Sequence, residues 1–130
     1  MSATEQAKWL ANVMACAAAE KLGTDIIAMD VSERLAITDV FVLVSASNDR
    51  QVGAIVDMID DVAARVGLRV VRREGEAEAR WVLLDLGDVI VHVMQLEDRQ
   101  MYSLERIWRD APRLDLDLDA PLPVFAMAAS

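Results

Sequence analysis

The chain has one histidine, His92, set inside an apolar run, with two carboxylates, Asp85 and Asp88, a few residues upstream. An imidazole can act as a general base or a metal ligand near neutral pH. Paired carboxylates can hold Mg²⁺ for phosphoryl or nucleotidyl transfer, because hard cations prefer carboxylate oxygens. Each group also has a plainer use. His92 can sit in a strand held by a hydrogen bond to a neighbour. Asp88 can support a turn while Asp85 caps or pairs a neighbouring strand. With a single histidine and a single cysteine, carboxylates alone would have to complete a metal site at His92. Structural or interface use is the stronger reading of all three.

A second polar cluster, Ser45-Ala-Ser-Asn-Asp-Arg50, falls between a predicted strand and a predicted helix, the position of a phosphate-binding turn. It has no glycine to let backbone amides close on a phosphate, and no P-loop lysine. Capping by Asn48 and a surface place for Arg50 are expected instead. Nucleotidyltransferase chemistry normally starts from a Gly-Ser element followed by an Asp-x-Asp pair on a strand. Here Ser45-Ala-Ser47 departs from that element, and the alternating Asp115, Asp117 and Asp119 lie in a proline-containing segment. No Ser/His/Asp or Cys/His nucleophile set follows from spacing. Trp81 and Tyr102 are anchors for a partner if exposed and core if buried, since large rigid aromatics dominate binding energy. Trp108 and Cys16 fall on helical stripes and read as core.

The elements that must position these groups are legible from periodicity. Apolar residues repeat at helical spacing over 3–22, with Gly23 as a stop. Residues 25–31 and 40–46 read as strands. Asn48 with Gln51 three residues later resembles a capping box opening a helix that ends at Gly67. Residues 68–72 predict a short third strand, followed by a charged loop over 73–80 containing Gly75. Two apolar runs, 81–86 and 89–94, separated only by Gly87-Asp88, predict a hairpin. A last helix is expected over 97–109, with Met101, Leu104 and Trp108 on one stripe. The whole predicts an α/β fold, a mixed sheet of about five strands flanked by helices. After Pro112 the sequence alternates leucine with aspartate between prolines. An edge strand is possible there, but an acidic mobile tail over 112–130 is the expectation.

At 130 residues the length fits one domain, 1–111, plus that tail. Thirteen basic residues against 22 acidic ones give a net charge of −9, a poor stock for neutralising phosphates. Direct nucleic-acid specificity is therefore not expected, and a basic protein partner is. The lone cysteine allows no internal disulfide. No signal-peptide pattern opens the chain, and no apolar run approaches the ~20 residues needed to cross a membrane. A cytoplasmic protein without a membrane segment or cofactor is expected.

Several blocks in fixed order carry a resemblance. They are Asp25-Ile-Ile-Ala-Met-Asp-Val31, Ile37-Thr-Asp39, Ser47-Asn-Asp-Arg-Gln51, Gly75-Glu76, Trp81-Val-Leu-Leu-Asp-Leu-Gly-Asp-Val-Ile-Val-His-Val-Met94 and Tyr102-Ser-Leu-Glu-Arg-Ile-Trp108. Together, over residues 5–111, they resemble the ribosomal silencing factor family, also called Iojap. The resemblance implies a nucleotidyltransferase-like fold without catalytic residues. It implies binding to the large ribosomal subunit through ribosomal protein L-fourteen, a block on joining of the small subunit when nutrients are short, and frequent homodimers. Organelle relatives act in large-subunit assembly, which is one alternative; a small metal-dependent nucleotidyltransferase-like enzyme using Asp85 and Asp88 is the other. Trp81, Asp85, Asp88, His92, Tyr102, Glu105 and Trp108 match the family's most recognisable residues. The expected partner contacts are Trp81 and Tyr102 as anchors, with Asp88, His92, Leu86, Met94 and Arg99 beside them. Ile107 stands where a leucine is common.

Overall fold

A computed structural model describes residues 2–124. The elements run α1 (Glu5–Glu20), β1 (Thr24–Asp30), β2 (Val40–Ala46), α2 (Asp49–Arg65), β3 (Arg72–Glu74), β4 (Trp81–Asp85), β5 (Val89–Gln95), α3 (Leu96–Tyr102), α4 (Leu104–Ile107) and β6 (Arg113–Leu114). The strands form one mixed sheet in the order β3-β4-β5-β2-β1-β6. The central pair β2 and β5 is parallel and every other pairing is antiparallel. Parallel strands need a crossover, which here runs through α2, β3 and β4.

Period-two alternation gives the two faces of the sheet different chemistry. Val82 and Leu84 of β4, Val89, Val91 and Val93 of β5, and Val40, Val42 and Val44 of β2 point to one side. There they meet the alanine-rich face of α1 and the Val52, Ile55, Ile59 and Ala63 face of α2. Small β-branched and alanine side chains let helices and sheet approach closely, and this layer holds most of the core. The opposite side carries Met29, Phe41, Leu43, Ile90 and Met94, a smaller cluster roofed by Leu104 and Trp108.

Local signals in the sequence fix the helix starts. Thr4 caps α1 by accepting from the Ala7 amide at 3.0 Å. Asn48 caps α2 by accepting from the Gln51 amide at 2.8 Å, and Gln51 Oε1 accepts in return from the Ser47 amide at 2.7 Å. The reciprocal bond thus falls one residue before the cap. Gln51 Nε2 also donates to the carbonyls of Lys21 and Leu22, tying the start of α2 to the end of α1. Asn48→Ala should cost about 1 kcal/mol, read as a lower thermal midpoint.

Four expectations change. The third strand lies later than predicted, at Arg72–Glu74, because the Val71 amide reaches the Asp85 carbonyl and sets pairing from Arg72↔Asp85 onward. The last helix is two short helices, broken at Ser103, whose φ of 40° and ψ of 62° are left-handed. Met101 is consequently exposed rather than on a buried stripe. The sheet has six strands rather than about five, because Arg113 and Leu114 pair with Met29 and Ala28.

Within the presumed tail, then, the edge-strand alternative is realised at β6. Leu114, Leu116 and Leu122 lie against the helix-side core while their aspartate neighbours face water. Asn12 holds Asp117 by two bonds, to its carbonyl at 3.0 Å and from its amide at 2.7 Å. Cys16, buried in α1, donates to the same carbonyl at 3.2 Å, and Arg65 Nη1 donates to the Pro123 carbonyl. The part of the expected tail from 125 to 130 lies outside the described residues.

Candidate docking face

The thinly covered side of the sheet collects the residues singled out for chemistry. Register places Trp81 opposite Met94 and Leu83 opposite His92, and His92 in turn beside Leu43 of β2. Since every second residue shares a face, Trp81, Leu83, Asp85, Ile90, His92, Met94, Phe41, Leu43 and Ser45 all point this way.

Aromatic rings run across that surface. Tyr102 lies 5.1 Å from Trp81 by ring centroids, Trp81 6.0 Å from His92, His92 4.8 Å from Phe41, and Phe41 5.3 Å from Trp108. The guanidinium of Arg34 lies 5.8 Å over Trp108 and closes the row. The tilted and edge-on arrangements suit the ring quadrupoles. The row is buried at His92 and Phe41 and opens at the Tyr102 end, where Tyr102 is 50% exposed and Met101 74%. A shallow groove beside Trp81 is lined by Glu74, Gly75, Trp81 and Leu83.

His92 is a structural imidazole. Trp81 Nε1 donates to its Nδ1 at 3.0 Å, so the neutral ring carries its proton on Nε2. Nε2 is buried without a hydrogen-bond partner among the described residues. Burial pushes the pKa down to about 4. A neutral, enclosed ring serves Trp81 by fixing the indole, and has no open side for a substrate.

Asp85 pairs with the neighbouring strand as expected, and it also takes the turn-supporting role expected of Asp88. Asp85 Oδ1 accepts from the Gly87 amide at 2.8 Å and supports the turn, and Asp85 also pairs with Arg72 across the strands at 3.8 Å. Asp88 is exposed, and its carbonyl accepts from the Asp39 and Val40 amides to start β2 beside β5. Among the described residues no group of three or more His, Cys, Asp or Glu side chains is placed to hold a metal ion. Ser45 lies buried beneath Arg99 and accepts from its Nη1 at 2.8 Å.

Of the expected contacts, the structure exposes Tyr102 and Asp88 and leaves Trp81 half-buried. It buries Leu86 in the helix-side core, and Met94, His92 and Arg99 on the sheet's other side. In the free chain those four offer a partner almost no surface, unlike Tyr102, Asp88 and Trp81. In their place Leu83 lies half-buried on the face, and Met101 and Ile107 are exposed on the short helices α3 and α4. Strand alternation from Trp81 could have found Leu83; nothing local announces Met101 or Ile107, which surface because the last helix breaks. Arg80 and Asp98 were also missed. Arg80 grips Asp98 through Nε and Nη2 at 3.2 and 3.0 Å, a bidentate pair joining the start of β4 to α3.

A sheet sealed by helices on one face and carrying a partly open aromatic row on the other defines a small α/β binding domain. Its relatives place it more closely. The family model for "ribosomal silencing factor during starvation" matches residues 4–127. The Bacillus subtilis ribosomal silencing factor is 43% identical over 110 residues, covering 85% of this chain and 93% of that protein. The chloroplastic protein Iojap of Zea mays is 30% identical over 106 residues, 82% of this chain and 46% of the maize protein. A crystal structure from Bacillus halodurans superposes with a TM-score of 0.71 at 34% identity, covering 80% of this chain and 94% of that one. One from Chromobacterium violaceum gives 0.75 at 26% identity, covering 88% and 92%. The chain belongs to the ribosomal silencing factor family. Its role is accordingly a ribosome-associated, regulatory one. Among the described residues no helix is long and apolar enough to cross a membrane.

Proposed function

We propose that this protein represses translation in the cytoplasm by binding the large ribosomal subunit through ribosomal protein L-fourteen and sterically blocking the small subunit, under nutrient limitation. The observation that carries this reading is the open end of the aromatic row in a member of this family. Trp81, Leu83 and Tyr102 form an apolar patch, with Met101 exposed next to Tyr102 in the chain, Glu74 lining the groove and Glu97 paired with Arg80. An acidic chain of net charge −9 suits a basic ribosomal protein, because complementary charge speeds encounter and disfavours wrong partners. Occlusion needs only affinity and position, so no transition state has to be stabilised and no cofactor is called for. Residues 1–111, with the docked segment that follows them, carry this function, and the protein forms a homodimer.

Sedimentation of the purified chain with large subunits, alone and with small subunits present, tests the reading. Co-sedimentation with large subunits and a lower yield of joined ribosomes is the expected result. Trp81→Ala and Tyr102→Ala should each weaken subunit binding by ~1–3 kcal/mol. Unchanged affinity in folded variants would falsify the assignment of this face.

A second reading, assembly of the large subunit, is favoured by one relative. The Mus musculus protein named for mitochondrial assembly of the ribosomal large subunit is 30% identical over 87 residues, 65% of this chain and 38% of that protein. This second reading would use the same docking face and differ in timing. Binding to immature large subunits in preference to mature ones would favour it.

A further inference from the structure

We infer that Arg99 is a positioning residue for this face: from between α3, α4 and the ends of β1 and β2, it holds the pose in which Tyr102 stands against Trp81. The inference rests on the docking reading above.

Arg99 is 7% exposed, yet each of its three guanidinium nitrogens has an acceptor on a different element. Nε donates to Glu105 Oε2 of α4 at 3.1 Å, Nη1 to Ser45 Oγ of β2 at 2.8 Å, and Nη2 to the Asp25 carbonyl of β1 at 2.7 Å. Its own carbonyl accepts from the Ser103 amide at 3.1 Å. Arg99 therefore grips both sides of the break. Its main chain closes α3 onto Ser103, and its side chain reaches past Ser103 to α4. A left-handed serine is disfavoured by its own sterics, so its conformation must be imposed by what surrounds it. A planar, forked guanidinium can satisfy three acceptors in fixed directions, and a lysine cannot.

The same arrangement locates Tyr102. A seven-residue helix has little stability of its own. Consecutive residues pin α3 from two sides: Asp98 to Arg80, which precedes Trp81, and Arg99 to the sheet. Tyr102 is the last residue of α3 and meets Trp81 where these two restraints converge. A guanidinium this deeply enclosed cannot reach a partner's surface, so any effect on docking must pass through Tyr102 and Met101.

The test uses the full chain with Glu105→Ala, Glu105→Gln, Arg99→Lys and, as a stability control, Thr4→Ala. Three properties are measured: affinity for large subunits, the near-ultraviolet circular dichroism of the free protein, and its thermal midpoint. Glu105→Ala and Arg99→Lys are expected to lower affinity about tenfold and to change the near-ultraviolet signal of the Trp81–Tyr102 pair. Glu105→Gln, whose amide oxygen still accepts from Nε, should recover most of both. Thr4→Ala loses the α1 cap beside Asp39, at the opposite end of β2 from Ser45, and should leave affinity within about twofold, which separates positioning from general weakening.

Several results overturn the proposal. These are wild-type affinity in Glu105→Ala, affinity that merely follows the thermal midpoint across the set, or no recovery in Glu105→Gln. Reduced affinity with an unchanged spectrum also overturns it, because Glu105 would then be touching the partner itself. A folded Trp81→Ala chain that binds normally removes the docking reading and the proposal with it. Normal binding by Glu105→Ala together with loss in Trp81→Ala removes the proposal alone.

Discussion

Replacing Gly75 by alanine is expected to lower stability by about 3–5 kcal/mol, the largest effect of any single methyl added to this protein. For a domain of this size that is a fall of roughly 10–20 °C in thermal midpoint. Gly75 follows β3 with a φ of +86°, a region that penalises any Cβ. The added carbon would also lie 2.0 Å from the Trp81 carbonyl oxygen and 3.1 Å from its carbon. Those atoms are main chain, so no rotamer change relieves the contact. Either Trp81 or the loop must move. Both moves disturb the face, because the Gly75 carbonyl accepts from the Ala79 amide and the Arg80 carbonyl from the Gln95 amide. Gly87→Ala is the natural comparison. Its φ is +93°, but nothing lies within 4 Å of the new carbon, so about 1–2 kcal/mol of backbone strain is all that is expected. Denaturant titration of the two variants separates strain from collision. Gly75→Ala should also bind large subunits more weakly under conditions where it remains folded, and Gly87→Ala should not.

How far the fold was legible depended on whether the deciding interactions were local. Val40–Ala46 was read to the residue, because a buried parallel strand is a continuous β-branched run with no ambiguity of face. The Asn48 cap was equally clear, since a side chain three residues from its amide partner needs nothing from the rest of the molecule. The hairpin emerged from Gly87-Asp88 between two apolar runs, and Gly87 takes the positive φ that such a turn requires. Arg72–Glu74 was displaced from its expected place because three exposed, charged residues owe their pairing to β4 alone. The segment after Pro112 was read through its aspartates. Its leucines decide its position instead, and they dock with help from Asn12, Cys16 and Arg65, 58 to 105 residues away.

The site was legible in composition and not in depth. Trp81, Tyr102 and His92 were named as partner contacts, and the structure brings their rings into one row. Which of them faces a partner depends on how α3 lies over the sheet, and that is set by Arg80, Asp98 and Arg99 acting across 18 to 74 residues of sequence. Periodicity carried an unbroken helix through Ser103 for the same reason. The pattern of apolar residues is compatible with continuation, and the break comes from contacts that no window of neighbouring residues contains.

Stability should fall by about 3 kcal/mol between pH 6.5 and pH 4 on account of His92. The imidazole titrates near 6.5 in the unfolded chain and is pushed down to about 4 in the fold by burial. The unfolded state therefore binds the extra proton first. Stability from this group is full above pH 6.5 and declines as pH falls toward 4, with a limiting slope of about 1.4 kcal/mol per pH unit. Protonation also places a hydrogen on Nδ1, the atom that accepts from Trp81 Nε1, so the charged ring loses its bond as well as its solvation. The Asp30 carboxyl does not share this window. At Asp30 burial acts to raise the pKa, but hydrogen bonds from the Ser32 side chain and from the Ala3 and Ser32 amides outweigh it. The pKa lies below the usual 3.8, and the stability it lends is lost only in stronger acid. Urea denaturation from pH 4 to 7 in wild type and in His92→Gln isolates the contribution. The amide oxygen can still accept from Trp81 and cannot titrate, so the variant should lose about 1–2 kcal/mol at pH 7 and then show a shallower curve by close to one proton. Parallel curves would mean that the acid sensitivity resides elsewhere. Large-subunit binding by the folded wild type should hold through most of this window and weaken only near pH 4, where the imidazole of the folded chain takes its own proton and frees the indole on which the docking face depends.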